Sequence, residues 1–173
     1  MLLKEKFAKI LPGMREDIKA LLGNYGEEKI SEVTVAQAFG GMRGVKGMLC
    51  ETSYVDPYKG LIIRGHPLSE LTSKYAEEIM YMLLIGDEPT KDEFETLKKD
   101  FGERSQVPDY VWDTLRALHP ETHPMTMFNL GILAMQKESL FAQKYSEGIS
   151  KMDYWDPMLE DSVSLIAKLP TLA

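Results

Sequence analysis

Two stretches of this chain, residues 75–85 and a run from Met125 to about Gln136, are apolar around most of a helical circumference. In the first, Ala76, Ile79, Met80, Met82, Leu83 and Leu84 leave almost no polar face, and Gly86 supplies the stop. An ordinary amphipathic helix needs cover on one side only. A helix of this kind needs neighbours on several sides, so the chain must build a packed multi-helical body. With 173 residues, 44% of them hydrophobic, it has material for one sizeable core, and its length argues for one domain.

The other segments fit that plan. Phe7, Ile10, Leu11, Met14, Ile18 and Leu21 recur at three- and four-residue spacing across residues 4–22, which predicts an amphipathic packing arm, interrupted or kinked at Pro12-Gly13 and stopped by residues 23–26. Residues 33–39 and 67–73 support short helices. Residues 48–55 and 61–64 are β-prone runs separated by Asp56-Pro57-Tyr58-Lys59-Gly60, a tight-turn composition, so one small β-hairpin is expected near residues 48–65. Thr90 and Glu93 form a capping box for a more charged helix that turns Phe94, Leu97 and Phe101 inward. Pro108 opens another, presenting Val111, Trp112, Leu115 and Leu118. Residues 119–124 read as a loop, because His119 and His123 each precede a proline. A helix through Phe141 and Tyr145 stops at Gly148, and Asp156-Pro157 provides a cap and first-turn proline for a last helix carrying Leu159, Val163, Ile166 and Leu169. The fold class is therefore all-α with a single hairpin. Apolar Leu169, Leu172 and Ala173 at the end lead to the expectation that the natural chain continues.

Charge and composition exclude several functions. The formal net charge is −7, and the cations are scattered in pairs such as Lys98-Lys99, which excludes a nucleic-acid partner. No apolar run approaches the roughly 20 residues of a membrane span, and the first residues carry no signal-peptide core. Cys50, the single cysteine, has no internal disulfide partner and reads as a buried or half-buried thiol. A soluble intracellular protein is expected, the bacterial cytoplasm favoured over the mitochondrial matrix. His119 and His123 have the four-residue spacing of a zinc helix, but Pro120 and Pro124 break that helix, so no metal is expected and His123 reads as hydrogen-bonded into the core. His66 has no obvious partner. No G-x-S-x-G elbow is present, and the acidic pairs read as solvated faces.

One ligand site remains. The stretch Gly40-Gly41-Met42-Arg43-Gly44-Val45-Lys46-Gly47 sets two cations among four glycines, without the order of a dinucleotide loop or the ending of a P-loop. Arg43 and Lys46, with Lys151 after Gly148-Ile149-Ser150, make a cationic site, and an arginine on a glycine-rich backbone suits a phosphate through bidentate contacts, against the alternative of plain surface cations.

That stretch, with Glu51-Thr52-Ser53, Val55-Asp56-Pro57, Gly60 and Arg64-Gly65, resembles the opening of citrate synthases of the mitochondrial type. The resemblance continues through residues 83–86, Pro89-Thr90, His123-Pro124-Met125, Glu138-Ser139, Glu147-Gly148-Ile149, Tyr154-Trp155 and residues 160–170, from about Ile30 to the end. It implies that residues 1–173 are the N-terminal part of an all-α large domain in a homodimer that condenses acetyl-CoA with oxaloacetate to citrate and CoA, without a metal or other cofactor. It places the family's catalytic histidines and aspartate beyond the matched region, so no catalytic residue is expected here and the chain alone should be inactive. It gives Arg43 a CoA-phosphate contact. A second such arginine, contributed across the dimer, falls on Lys151, which keeps the charge and loses the two-pronged geometry. The alternative expectation is a non-catalytic dimerisation or assembly module of the same descent.

Overall fold

The computed structural model describes residues 2–173 and divides into two compact units, Glu5–Thr90 and Lys91–Ala173, the latter joined by the start of the chain up to Lys4. Helices are the main regular elements of both, with one three-stranded sheet among the described residues. Helix α1, Leu2–Tyr25, begins in one unit and continues into the other. It runs through Pro12 without the interruption that was one of the two expected outcomes there: a proline removes one backbone bond, and the ladder on either side carries a helix of this length across it. Leu3 is fully buried and Phe7, Ile10, Leu11 and Met14 are half-buried, while Ile18 and Leu21 at the far end of the same stripe are exposed.

In the unit Glu5–Thr90, α2 is Val35–Phe39. Thr34 Oγ1 accepts from the Gln37 amide at 3.2 Å and Gln37 Oε1 accepts from the Thr34 amide at 3.0 Å, a reciprocal cap that lets so short a helix form. The predicted hairpin is present as β1 Ser53–Asp56 and β2 Gly60–Ile63, paired antiparallel from Ser53 opposite Ile63 to Asp56 opposite Gly60. A short third strand, β3 His66–Pro67, extends it. Asp56 Oδ1 accepts the Tyr58 amide at 2.8 Å and the Lys59 amide at 2.9 Å, which closes the turn. Residues 48–52 stay outside the sheet; Met48 and Leu49 are exposed and have no apolar face to pair against.

Helices α3, Leu68–Leu71, and α4, Ala76–Ile85, complete this unit. Its core joins Ile63, Leu71 and Met82, flanked by Leu61, Ile79 and Leu83. At the end of α4 the Gly86 amide donates to Met82 O at 2.8 Å with φ of 102°, the left-handed cap that glycine adopts without strain. The sequence predicted α4 largely buried. In the structure only Tyr81 and Met82 are, and its other large apolar residues are half-buried.

The unit Lys91–Ala173 contains α5 Lys91–Arg104, α6 Asp109–Arg116, α7 Pro124–Ala134, a 3-10 turn Met135–Glu138, α8 Leu140–Ser146, a second 3-10 turn Lys151–Asp153 and α9 Trp155–Leu172. Helix α5 packs on α9, burying Leu97 and Phe101 from one and Leu159, Val163 and Ala167 from the other. Arg104 bridges the two: it bonds Asp100 Oδ1 at 2.7 Å, Ser164 Oγ at 2.8 Å and the Glu160 carboxylate. A second cluster gathers Val107, Val111, Leu115, Met135 and Leu172. Gly131 lets α7 and α9 approach, for a Cβ there would stand 2.8 Å from Leu172 Cδ1. Helix α7 was expected to be a buried helix with neighbours on several sides. Gly131 is its one buried residue, and Met125 and Leu133 are exposed. Helix α9 starts at Trp155, one residue before the expected cap; Asp156 sits within its first turn and pairs with Lys4 at 2.6 Å, where a carboxylate also favours the positive end of the helix.

Candidate functional site

The glycine stretch begins where α2 ends. The Gly40 amide donates to Ala36 O at 2.9 Å, Met42 to Gln37 O at 2.8 Å and Val45 to Met42 O at 3.1 Å, so the chain reverses over a helix end. Gly41 and Met42 have φ of 79° and 61°. The first is free for glycine; the second strains an L-residue by about 1 kcal/mol. Arg43 and Lys46 follow directly, both exposed and neither hydrogen-bonded nor ion-paired among the described residues. An unpaired guanidinium keeps all its donors for a ligand, and the tight turn limits how far its backbone wanders.

The far end of the stretch meets the sheet. Arg64, between β2 and β3, donates its amide to Thr52 O at 2.9 Å, its Nη2 to Leu83 O at 2.7 Å, and pairs Nη1 with Glu51 Oε1 at 3.3 Å. Sequence reasoning missed this role, because the bond to Leu83 spans 19 residues and no local pattern announces it. Cys50 corrects another expectation. It is exposed, since the loop before β1 has no apolar cover, and its Sγ lies 3.3 Å from Thr52 Oγ1. Hydrogen bonding, first from the Thr52 hydroxyl and then from the Ser53 and Thr52 amides, lowers the thiol pKa to about 7.

Lys151 belongs to the other unit. It is the first residue of the 3-10 turn Lys151–Asp153, which Ser150 Oγ caps by accepting the Met152 amide at 3.3 Å. Its side chain is exposed and unpaired among the described residues. His123 is exposed rather than bonded into the core: its Nδ1 accepts the Met125 amide at 3.1 Å and caps α7, as His119 Nδ1 accepts the Glu121 amide at 3.2 Å. A histidine before proline is held extended, which places its ring beside the amides that follow. His66 Nδ1 lies 3.8 Å from Glu70 Oε2. Among the described residues no three His, Cys, Asp or Glu side chains gather as a metal site. A cleft of about 320 Å³ beside α7 and α9 is walled by Ile132, Met135 and Leu165; of its polar residues, Ser139 and Asp161 bond each other and the first amides of α8.

The family model described as "Citrate synthase, C-terminal domain" matches residues 41–173. The mitochondrial citrate synthase of Saccharomyces cerevisiae is 38% identical over 99% of this chain and 38% of its own length. The peroxisomal citrate synthase of the same yeast is 36% identical over 99% of this chain and 39% of its own. Citrate synthase 4, mitochondrial, of Arabidopsis thaliana is 36% identical over 99% and 38%. The chain thus spans little more than a third of the length of these relatives. Their names are mitochondrial or peroxisomal and lend no support to the bacterial cytoplasm.

Proposed function

The chain belongs to the citrate synthase family, and from that we propose that the protein carrying it condenses acetyl-CoA with oxaloacetate to citrate and CoA. Residues 1–173 are the N-terminal part of the large domain in this reading, supplying scaffold, homodimer contacts and part of the CoA-phosphate site. The reaction uses no metal, and its catalytic residues lie outside this chain. The observation that carries the reading is the match to the family over residues 41–173, which includes an Arg43 that is exposed, and unpaired among the described residues, on a glycine-built turn. Arg43 offers a two-pronged contact to a CoA phosphate, and Lys151 a point charge. The relatives' names favour the mitochondrial matrix as the location.

The test is kinetic. In the natural protein that carries this chain, Arg43→Ala should raise KM for acetyl-CoA and leave KM for oxaloacetate unchanged; an unaltered acetyl-CoA KM removes the ligand role. A second reading, a non-catalytic assembly module, draws on the large exposed apolar side chains of both units, among them Phe39, Tyr58 and Leu133.

A further inference from the structure

Resting on the reading of Arg43 as a phosphate contact, we propose that Arg64 is a positioning residue for that site. It fixes the downstream end of the loop carrying Arg43 and Lys46 and so sets where those cations meet an acyl-CoA phosphate.

Residues 40–52 join α2 to β1 with no helix or strand of their own. Upstream, the loop is held by the amides of Gly40 and Met42 on the carbonyls of α2. Downstream, Arg64 ties it to two elements at once. Its backbone amide and Nη1 take Thr52 and Glu51, the last residues of the loop, while Nη2 takes Leu83 O in the final turn of α4. Carbonyls in a helix's last turn lack intrahelical donors and sit at its negative end, so a guanidinium is well matched there. A planar group with donors on two edges spans a carbonyl and a carboxylate together; an ammonium on one stem does not.

The choice of arginine runs against local preference. Arg64 and Gly65 are the two residues between Ile63 and His66, which face each other across β2 and β3. Their φ values are 47° and 86°, as the primed two-residue hairpin turn requires, and that turn favours Asn or Asp before glycine. Arg64 therefore carries backbone strain that a commoner turn residue would relieve. Its side chain is 13% exposed and its Nε is buried with no hydrogen-bond partner among the described residues. Desolvating a cation this far, against a Glu51 side chain that is 74% exposed, makes little sense for turn stability alone. It makes sense if reach is what matters: asparagine would suit the turn and fall short of Leu83 and Glu51.

That contrast supplies the experiment. Arg64→Asn, made in the natural protein that carries this chain, keeps the turn and the backbone bond to Thr52 and removes the side-chain tie to Glu51 and Leu83; Glu51→Ala removes the loop-side charge alone. Each variant is compared with Arg43→Ala for acetyl-CoA and oxaloacetate kinetics, and for the rate of limited trypsin cleavage after Arg43 and Lys46. Arg64→Asn should keep the melting temperature, speed cleavage about threefold, and raise KM for acetyl-CoA about 3- to 10-fold with kcat and the oxaloacetate KM unchanged. Arg64→Lys should recover part of that loss. Wild-type cleavage and wild-type KM in Arg64→Asn, with a raised KM in Arg43→Ala, overturn the positioning role and leave the Arg43 reading intact. Faster cleavage with an unchanged acetyl-CoA KM in both variants overturns the Arg43 reading and the positioning role with it. A fall in kcat at constant KM marks Arg64 as merely structural and also overturns the proposal.

Discussion

Arg43 and Cys50 lie seven residues apart on one loop and differ in what surrounds them. Arg43 has no partner among the described residues, so removing it unsettles no bond among them, and the loss should fall on the ligand. A charge-assisted contact is worth about 1.5–3 kcal/mol, which puts the expected rise in acetyl-CoA KM for Arg43→Ala at about 10-fold or more. Cys50 is exposed and its thiol is acidified chiefly by the Thr52 hydroxyl. Its alkylation by iodoacetamide should therefore rise through a midpoint near pH 7, and Thr52→Val should move that midpoint toward the ordinary thiol value. A midpoint unmoved by Thr52→Val would show that the hydroxyl is not the cause.

At the scale of elements, a short helix can depend on a side chain from outside its own segment. Helix α8 is seven residues long, and Asp161 on α9 accepts from Ser139 Oγ at 2.6 Å and from the Leu140 and Phe141 amides at 2.8 and 2.9 Å. One carboxylate thus satisfies two of the amides that a helix start leaves open and adds charge at the favourable end. Asp161→Ala should cost about 2 kcal/mol in urea unfolding, with α8 the first segment to lose amide protection; full protection in the variant would place the cap elsewhere. The hairpin has its own carboxylate. The Lys59 amide, and then the Tyr58 amide, hold the Asp56 carboxyl below its usual range. A carboxyl whose folded pKa is depressed stabilises the fold fully above its unfolded pKa, near 3.9, and that contribution is lost as pH falls through the folded value. Hairpin signals in an acid titration should therefore decay below about pH 4, and Asp56→Ala should flatten that step.

At the scale of the whole molecule, each unit shows apolar side chains to solvent: Val35, Phe39 and Leu49 in one, Met125, Leu133 and Met152 in the other. Exposed apolar side chains that gather into a contiguous patch are the kind of surface that takes a protein partner. The 173-residue chain on its own should self-associate at micromolar concentration and release no thiol from acetyl-CoA in the presence of oxaloacetate. A clean monomer in sedimentation argues against the first expectation, and robust turnover against the second.

By itself the sequence determined what depends on local periodicity and turn chemistry. The helices from Lys91 to Leu172, the Asp56 to Gly60 turn and the glycine stop at Gly86 follow from apolar spacing, proline placement and left-handed preference, which act within a few residues. The exposed cation at Arg43 was legible for the same reason, and the resemblance to citrate synthases rested on ordered motifs that need no coordinates. Tertiary structure decided what depends on pairs far apart in the chain. The Arg64 tie to Leu83 spans 19 residues and the Asp161 cap on Leu140 spans 21. The exposure of Cys50 and the partial cover of α4 and α7 turn on which neighbours are present. Periodicity states which face of a helix is apolar, and only packing states whether anything covers it.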